Sequence, residues 1–255
     1  MILSLAAATA PAESRELMMQ NATKAGFNGI GFRFDLDLPD ASEIRRLQSS
    51  CRMHGLAVLD LEVVRIGDED PETTKMLFDA AGQLGAKNVV VVSDTDDIGY
   101  VIDRFGEICD MALRVQCRAS LEFMGFTGIA DLATALHVIN QVGHEASGLI
   151  IDALHVQRCG VTSEDIAGLD KSLVTHLQLC DGPVNGPVSN HDLAYEARHN
   201  RLMPGLGEFA LARLIADVGP CDTAVEVQND AYQTAMTPSD LAQHAYNSVA
   251  ELLSC

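Results

Sequence analysis

One unit repeats along this chain: a short apolar run, a polar turn and an amphipathic stretch with helical spacing. A fixed period of this kind indicates a repeated supersecondary unit, and strands alternating with helices indicate a parallel sheet. The period, together with a length of 255 residues close to the ~250 typical of such barrels, predicts an α/β fold, a (β/α)8 TIM barrel forming a single domain over residues 1–255. Successive runs start 26 to 31 residues apart, with a last step of 49, near Ile2, Gly29, Ala57, Asn88, Ala119, Gly148, Val174 and Thr223.

The segments between the apolar runs carry helix start and stop signals. Glycine follows several of them, and proline opens one at a position where it is tolerated. The seventh connection, from Asp181 to about Gly207, is longer than the others, and long connections in compact domains are commonly functional. Helices are predicted over Ala12–Lys24 and Ser42–His54, from Pro71 to Gly85, and from Thr237 to about Leu253.

Charge and cysteine content restrict the partners. Lys and Arg total 17 against 36 Asp and Glu, a net charge of −19, which repels nucleic-acid phosphates and anionic lipid. We therefore expect a small-molecule substrate, no nucleic acid and no membrane. Seven cysteines without a Cys-x-x-Cys pair indicate no disulfide framework and a reducing compartment, so a cytoplasmic location is expected. The opening residues lack the basic segment of a signal peptide and are interpreted as the first strand.

Acidic and amide side chains lie at the ends of the predicted strands, where barrel active sites form. Since alternate strand residues face opposite ways, four of them point into the mouth in one register: Glu122, Asp152, Gln178 and Glu226. Each one alone is typical of a solvated or paired residue, but several buried carboxylates together are costly unless a cation neutralises them. Three carboxylates and one amide oxygen predict a divalent metal, with Mg²⁺ or Mn²⁺ favoured over Zn²⁺.

Other polar residues are also expected near the mouth. Arg201, and less clearly Arg198, lie on the long connection, where an arginine can bind a substrate carboxylate or phosphate, or simply be a solvated loop charge. His176 lies two residues before Gln178, so we expect it to hydrogen-bond a metal ligand from one layer deeper. Cys180 lines the pocket in this register, but no base is placed to make it a nucleophile.

Five segments carry a family resemblance: LEFM at 121–124, IDALH at 151–155, LQLCDGP at 177–183, EARHNRLMPGLGEF at 196–209 and VEVQND at 225–230. On these, the whole chain resembles the xylose isomerase-like TIM-barrel superfamily. The resemblance implies that Glu122, Asp152, Gln178 and Glu226 hold the metal. It also implies that His155 contacts a substrate oxygen or moves a proton, that Glu62 reaches the substrate, and that a homo-oligomer can form.

Two features of the motifs bear on the reaction. Gln178, where histidine is commoner, and the Arg-x-x-Arg-x-x-Pro-Gly loop resemble the bacterial 3-dehydroshikimate dehydratases within the superfamily. In many relatives this loop reads Pro-Gly-Glu-Gly, whereas Leu206 occupies the glutamate position here. Whatever that glutamate does in the relatives is therefore absent from this chain.

The expected chemistry is proton transfer next to a carbonyl, through an enediolate stabilised by one divalent metal (Mn²⁺ or Mg²⁺, with Co²⁺ or Zn²⁺ as alternatives). Glu122 and Glu226 are the expected catalytic residues, one removing and one returning a proton. Return of the proton makes the protein a sugar isomerase or epimerase, which the breadth of the superfamily favours. Loss of a β-hydroxyl makes it a dehydratase of a cyclic hydroxy-ketone such as 3-dehydroshikimate or an inosose.

Two other classes are disfavoured. A DNA-repair endonuclease on this barrel needs a histidine-rich three-zinc cluster, but the strand ends offer few histidines and the chain is strongly acidic. A non-catalytic barrel serving as a partner subunit is expected to have lost at least one of the four ligands, and all four are present. Metal content separates these classes from a metal-dependent isomerase or lyase.

Overall fold

The strands form a closed barrel. The computed structural model describes residues 1–11, 14–34, 37–68 and 70–254. Within these ranges eight parallel strands are hydrogen-bonded in chain order, and the last pairs with the first. The predicted (β/α)8 barrel is therefore confirmed. The strands are β1 (Leu3–Leu5), β2 (Gly29–Arg33), β3 (Ala57–Ile66), β4 (Asn88–Ser93), β5 (Arg118–Leu121), β6 (Ser147–Asp152), β7 (Val174–Leu179) and β8 (Thr223–Val225).

Helices cover the outside of the barrel, and their ends follow the signals in the sequence. The predicted start of the first helix at Ala12 lies outside the described residues; the helix begins at Arg15, where the Ser14 side chain accepts from the N–H of Leu17. It ends at Gly26, whose φ of 111° suits glycine. The helices are α1 (Arg15–Ala25), α2 (Ala41–His54), α3 (Pro71–Leu84), α4 (Ile98–Arg114), α5 (Leu132–Val142), α6 (Ala153–Arg158), α7 (Ser163–Ala167), α8 (Asn190–His199), α9 (Leu211–Val218), α10 (Asp230–Ala235) and α11 (Pro238–Ala250).

Alternation along the strands divides the core into two parts. In β4, Val89 and Val91 belong to the main apolar core between barrel and helices, whereas Val90 and Val92 belong to a smaller cluster with Ile150. Because alternate residues face opposite sides of a strand, this smaller cluster lies inside the barrel. The barrel interior is therefore apolar beside β4, which gives the mouth above it one apolar wall.

The long connection between β7 and β8 carries two helices, α8 and α9. It brings Arg198 and Arg201 to the same end of the barrel as the strand ends. The described cysteines are all free thiols. Among the described residues, no helix combines the length and apolar character that a membrane span requires.

The side chain of Thr9 stabilises the seam between β1 and β8, where the barrel closes. Its buried hydroxyl donates to the carbonyl of Val225 (2.9 Å) and accepts from the N–H of Val227 (2.9 Å). The pairing of β1 with β8 is short, because each of these strands has only three residues. This side chain therefore extends the pairing beyond the end of β1 and fixes the backbone on both sides of Glu226.

Replacing Thr9 by valine keeps the shape of the side chain and removes both hydrogen bonds. We expect the free energy of unfolding to fall by roughly 1–3 kcal/mol. The buried N–H of Val227 loses its partner, and the carbonyl of Val225 keeps only the N–H of Ala6 (3.1 Å). Chemical denaturation followed by circular dichroism measures the loss. Thr234→Val is the matched control, since the hydroxyl of Thr234 is exposed and bonds only within α10; an equal loss in both variants contradicts the role of Thr9.

Candidate active site

A pocket at the carboxyl end of the strands gathers most of the side chains that the sequence analysis selected, although Asp152 is not part of its lining. Its lining divides into an apolar part, with Val63, Val92, Met124 and Phe126, and a charged part. The charged part brings together residues that are up to about two hundred positions apart in the chain. It consists of Arg33, Glu62, Arg65, Glu122, His155, Gln178, Arg198, Arg201, Glu226 and Gln228.

The four predicted metal ligands lie at neighbouring strand ends. Asp152 is opposite Gln178 in the pairing of β6 with β7. Glu122 and Glu226 come one residue after β5 and β8, and their N–H groups continue the ladder by donating to Val91 and Leu179 (2.9 and 3.0 Å). All four side chains are buried. The common register therefore directs them to one end of the barrel interior, as the alternation predicts.

The donor atoms fit a divalent cation. Ligand atoms of Glu122, Asp152 and His155 lie within 4.8 Å of one another. Within the described part of the chain, Gln178 Oε1 and Glu226 Oε2 are buried acceptors without a hydrogen-bond partner. Buried acceptors are nearly always satisfied, so oxygens left free beside two more carboxylates match the oxygen shell of a hard cation. His155 adds a nitrogen that the sequence analysis did not count among the ligands.

Asp152 is the most constrained of the four. It ends β6 and caps α6, and its Oδ1 accepts from the N–H groups of Leu154 (2.7 Å) and His155 (3.3 Å). Its Oδ2 accepts from Arg201 Nη1 at 2.7 Å. Burial acts to raise the pKa of Asp152, but the neighbouring charges and these hydrogen bonds outweigh it and hold that pKa below its usual value. Asp152 is therefore held ionised and in one orientation.

In Glu122 and Glu226, by contrast, burial outweighs the neighbouring positive charge and raises the pKa. Burial, followed by the charges of Asp152 and Glu226, holds the pKa of Glu122 well above its usual value. Burial also raises the pKa of Glu226, although Arg201 opposes the shift. Burial lowers the pKa of His155 to about 4, so its ring is neutral near pH 7. Its Nε2 lies 3.8 Å from Glu122 Oε1. The site thus holds groups that can exchange protons and whose pKa a nearby cation or substrate can shift.

Arg201 lies among these carboxylates rather than in solvent. Its exposed fraction is 3%, and this burial excludes the solvated interpretation. Its Nε donates to the carbonyl of Ala197 (2.8 Å), and its Nη2 lies 3.7 Å from Glu226 Oε1. Together with the bond to Asp152, these contacts join α8 to the ends of β6 and β8.

Arg198 is placed differently, at the exposed rim of the same pocket. Its guanidinium lies over the ring of Phe126, 5.9 Å from the centroid, and Phe126 in turn meets the His155 ring edge-on at 5.8 Å. No carboxylate among the described residues forms an ion pair with Arg198. By contrast, Arg65 pairs with Asp94 at 3.0 Å. Arg198 thus brings a positive charge to the rim of the mouth.

Arg33 was missed by the sequence analysis. It is the last residue of β2, lies opposite Glu62 in the pairing with β3, and lines the pocket. The strand-end rule that selected Glu122, Asp152, Gln178 and Glu226 applies equally to Arg33, which ends β2. The signal was therefore present in the sequence, but it belonged to a cation rather than to a carboxylate or an amide.

The carboxylate of Asp181 holds the backbone of the long connection by hydrogen bonds and is not part of the pocket lining. Its Oδ1 accepts from the N–H groups of Gly182 (2.8 Å) and Phe209 (2.9 Å), and its Oδ2 accepts from Gly205 (2.9 Å). A Cβ at Gly207 would collide with the Asp181 carboxylate, so glycine is required there. Leu206, at the position where many relatives carry glutamate, is 66% exposed and points away from this core of the loop.

The expectation for His176 is wrong. No ligand side chain among the described residues hydrogen-bonds it; its Nδ1 is 3.3 Å from the Thr175 hydroxyl and its Nε2 is 3.7 Å from Asp60 Oδ2. This pair is not ionic, because burial raises the pKa of Asp60 to about 7 and lowers that of His176 to about 4. A polar layer that is neutral below about pH 7 therefore lies beneath the site.

The fold and this donor set define a TIM barrel with a metal-compatible mouth, and comparison with known families agrees. Residues 19–245 match the family described as xylose isomerase-like TIM barrel. The chain belongs to this family, whose members are isomerases, epimerases and dehydratases. The family resemblance in the sequence is thereby confirmed.

Individual relatives are more distant. Two 3-dehydroshikimate dehydratases, from Pseudomonas putida and Pseudomonas aeruginosa, are 24% and 28% identical over 86% and 84% of this chain. The chain spans 36% of the length of each. The crystal structure of an IolI protein with a binding zinc atom superposes with a TM-score of 0.85 at 20% identity, covering 100% of this chain and 98% of that one. That likeness establishes the fold.

The buried carboxyl of Asp60 makes a pH dependence testable. Its pKa of about 7 in the folded chain exceeds the usual 3.8, so between these values only the folded state holds the proton. The free energy of unfolding therefore falls as pH rises towards 7. Asp60→Asn cannot ionise, so relative to wild type it should gain about 2–3 kcal/mol between pH 5 and pH 8.

Denaturant titrations in EDTA at both pH values measure this difference. Asp103→Asn, on the exposed face of α4, controls for the loss of a carboxylate and should follow wild type. A constant difference between Asp60→Asn and wild type across this range contradicts the assignment of a raised pKa.

Proposed function

We propose that this protein is a divalent-metal-dependent lyase that dehydrates a cyclic hydroxy-ketone carrying a carboxylate. The observation that carries the proposal is the set of donor atoms from Glu122, Asp152, Gln178 and Glu226 beside a mouth that holds Arg198. Mn²⁺ or Mg²⁺ is the proposed metal, because three carboxylates and an amide oxygen are hard ligands. When bound, the metal supplies Lewis-acid polarisation of the substrate carbonyl.

The residues of the chain supply the proton transfers. Glu122 and Glu226 are the proposed catalytic residues: one takes the proton next to the carbonyl, and the other gives a proton to the β-hydroxyl. The C–O bond breaks, water leaves, and the electron pair of the lost C–H bond forms the C=C bond. His155, which is 3.8 Å from Glu122, and Glu62 line the pocket, and we expect them to contact substrate oxygens. Burial of these groups excludes water, so the charge that develops on the substrate is stabilised by fixed neighbours.

Two properties of the pocket favour dehydration over sugar isomerisation. The wall formed by Val63, Val92, Met124 and Phe126 offers no partner for hydroxyl groups, so a ring with unsubstituted carbons fits it better than a sugar hydroxylated at every carbon. Arg198 provides a charge for a carboxylate. Both relatives at 24% and 28% identity are 3-dehydroshikimate dehydratases, which supports the same choice.

Isomerisation or epimerisation of a sugar, the reaction favoured by the sequence analysis, is the second candidate. One observation supports it: buried Glu122 and Glu226 project from β5 and β8, strands well apart around the barrel. Two carboxylates so placed can remove a proton from one face of a carbon and return one to the other. Turnover of a substrate panel decides between the two candidates.

Glu226→Gln tests the metal site. We expect wild type to bind about one Mn²⁺ per chain, as one set of four ligands requires. The variant should bind at least tenfold more weakly and lose turnover of 3-dehydroshikimate, inososes and ketoses, because a carboxylate ligand becomes neutral. Titration calorimetry and product analysis measure both. Glu107→Gln, exposed on α4, is the control. Wild type that binds no Mn²⁺ even in excess eliminates this site.

Arg198→Gln tests the carboxylate. For a carboxylated substrate we expect KM to rise about 10–100-fold with kcat changed only a few-fold, because the lost charge pair contributes equally to substrate and transition state. KM for an uncharged inosose should not change. Arg114→Gln, exposed at the end of α4, should behave like wild type. Equal losses for charged and uncharged substrates contradict an anion-binding role.

A further inference from the structure

The geometry points to Arg201 as a built-in counter-cation of the metal site: it holds the carboxylates together without metal and lowers the affinity for the metal. This inference rests on the metal site of the proposed function, but not on which reaction occurs there. Arg201 is thus assigned as a positioning residue for the ligands. The sequence analysis placed it only as a candidate substrate contact.

The contacts of Arg201 tie it to two ligands from different strands. Its Nη1 donates to Asp152 Oδ2 at 2.7 Å, and its Nη2 lies 3.7 Å from Glu226 Oε1. Asp152 ends β6 and Glu226 follows β8. One guanidinium therefore bridges carboxylates that no backbone hydrogen bond connects, because β7 lies between their strands.

The backbone around Arg201 is anchored as firmly as the side chain. Its N–H donates to the carbonyl of Gln228 (3.0 Å), and its own carbonyl accepts from Asn229 Nδ2 (2.9 Å). The side-chain Nε donates to Ala197 (2.8 Å). The guanidinium contacts Ala197, Asp152 and Glu226 and is 3% exposed, so it cannot move out to solvent as a surface arginine does and its charge stays in the site.

The charge balance follows from this placement. Glu122, Asp152 and Glu226 carry three negative charges when ionised, and Arg201 leaves two, which is the charge that one divalent cation neutralises. Without Arg201 the same carboxylates repel one another when no metal is bound, and they attract a metal more strongly when it arrives. Arg201 therefore lets the barrel fold independently of metal and makes the metal easier to exchange.

A second buried arginine provides a matched comparison. Arg158 forms a bidentate pair with Glu196, at 2.6 and 2.7 Å, and its side chain is 5% exposed. It ties α6 to α8 within the same part of the fold. Its partners are Glu196 and the carbonyls of Pro183 and Val184, and none of them is a predicted metal ligand. Loss of Arg158 should therefore destabilise the protein by the same amount whether or not metal is present.

The experiment is thermal unfolding of wild type, Arg201→Met, Arg201→Lys and Arg158→Met, each in EDTA and in saturating Mn²⁺, with Mn²⁺ affinity from titration calorimetry. For wild type we expect EDTA to lower Tm by only a few degrees, with the fold retained. For Arg201→Met we expect at least tenfold tighter Mn²⁺ binding. Tenfold is 1.4 kcal/mol, so Mn²⁺ should raise Tm about 3–6 °C more than in wild type.

Arg201→Lys keeps the charge and should keep a wild-type response to metal, while Arg158→Met should lose stability equally in both buffers. Weaker or unchanged Mn²⁺ binding by Arg201→Met, or the same loss of stability in both buffers, overturns the inference. If Arg201→Met folds in neither buffer, wild type decides alone: unfolding of wild type on addition of EDTA overturns the inference, and a retained fold supports it.

Failure of the inference differs from failure of the proposed function. No step of the experiment measures turnover, so Arg201 can prove to be the counter-cation of a site that catalyses another reaction. Conversely, wild type that binds Mn²⁺ with no effect of Arg201 leaves the dehydratase proposal intact and removes this one. Absence of Mn²⁺ binding in wild type overturns both.

Discussion

Closure of the parallel barrel is the constraint on which the rest of this structure depends. Once β8 pairs with β1, the carboxyl ends of all eight strands surround one mouth, and the alternation of side chains decides which residues enter it. Glu122, Asp152, Gln178 and Glu226 become neighbours for this reason. The hydroxyl of Thr9, bound to both sides of Glu226, shows how closely closure and site are linked.

These carboxylates repel one another when ionised, and positively charged side chains in the fold reduce that repulsion. Arg201 lies between Asp152 and Glu226, and the long connection between β7 and β8 is what delivers it. Asp181 fixes the shape of that connection by accepting three backbone hydrogen bonds. The long seventh connection thus serves the site through an internal arginine and a rim arginine, in a chain whose overall charge is strongly negative.

Much of this was accessible from the sequence because it depends on periodicity. The strand starts and the identity of the four polar residues at the strand ends follow from a repeating pattern and from alternation. The contacts of Arg201 were not accessible, because its partner Asp152 is 49 residues away in the chain. The rotamer of Arg201 decides whether its guanidinium lies in solvent or in the site, and the sequence does not specify that rotamer. His176 was misjudged for a similar reason: burial beside Asp60, rather than its spacing from Gln178, determines its neighbours.

The sequence by itself determined the barrel, the end of the barrel that bears the site, the acceptors available there and the family, since each is encoded in local pattern or short motifs. Only the tertiary structure decided how the charges are paired. It placed Arg201 between the carboxylates of Asp152 and Glu226, left Arg198 at the rim over Phe126, and added Arg33 to the mouth. The physical reason is that burial and charge pairing are properties of side chains that meet across the barrel, and no local pattern records those meetings.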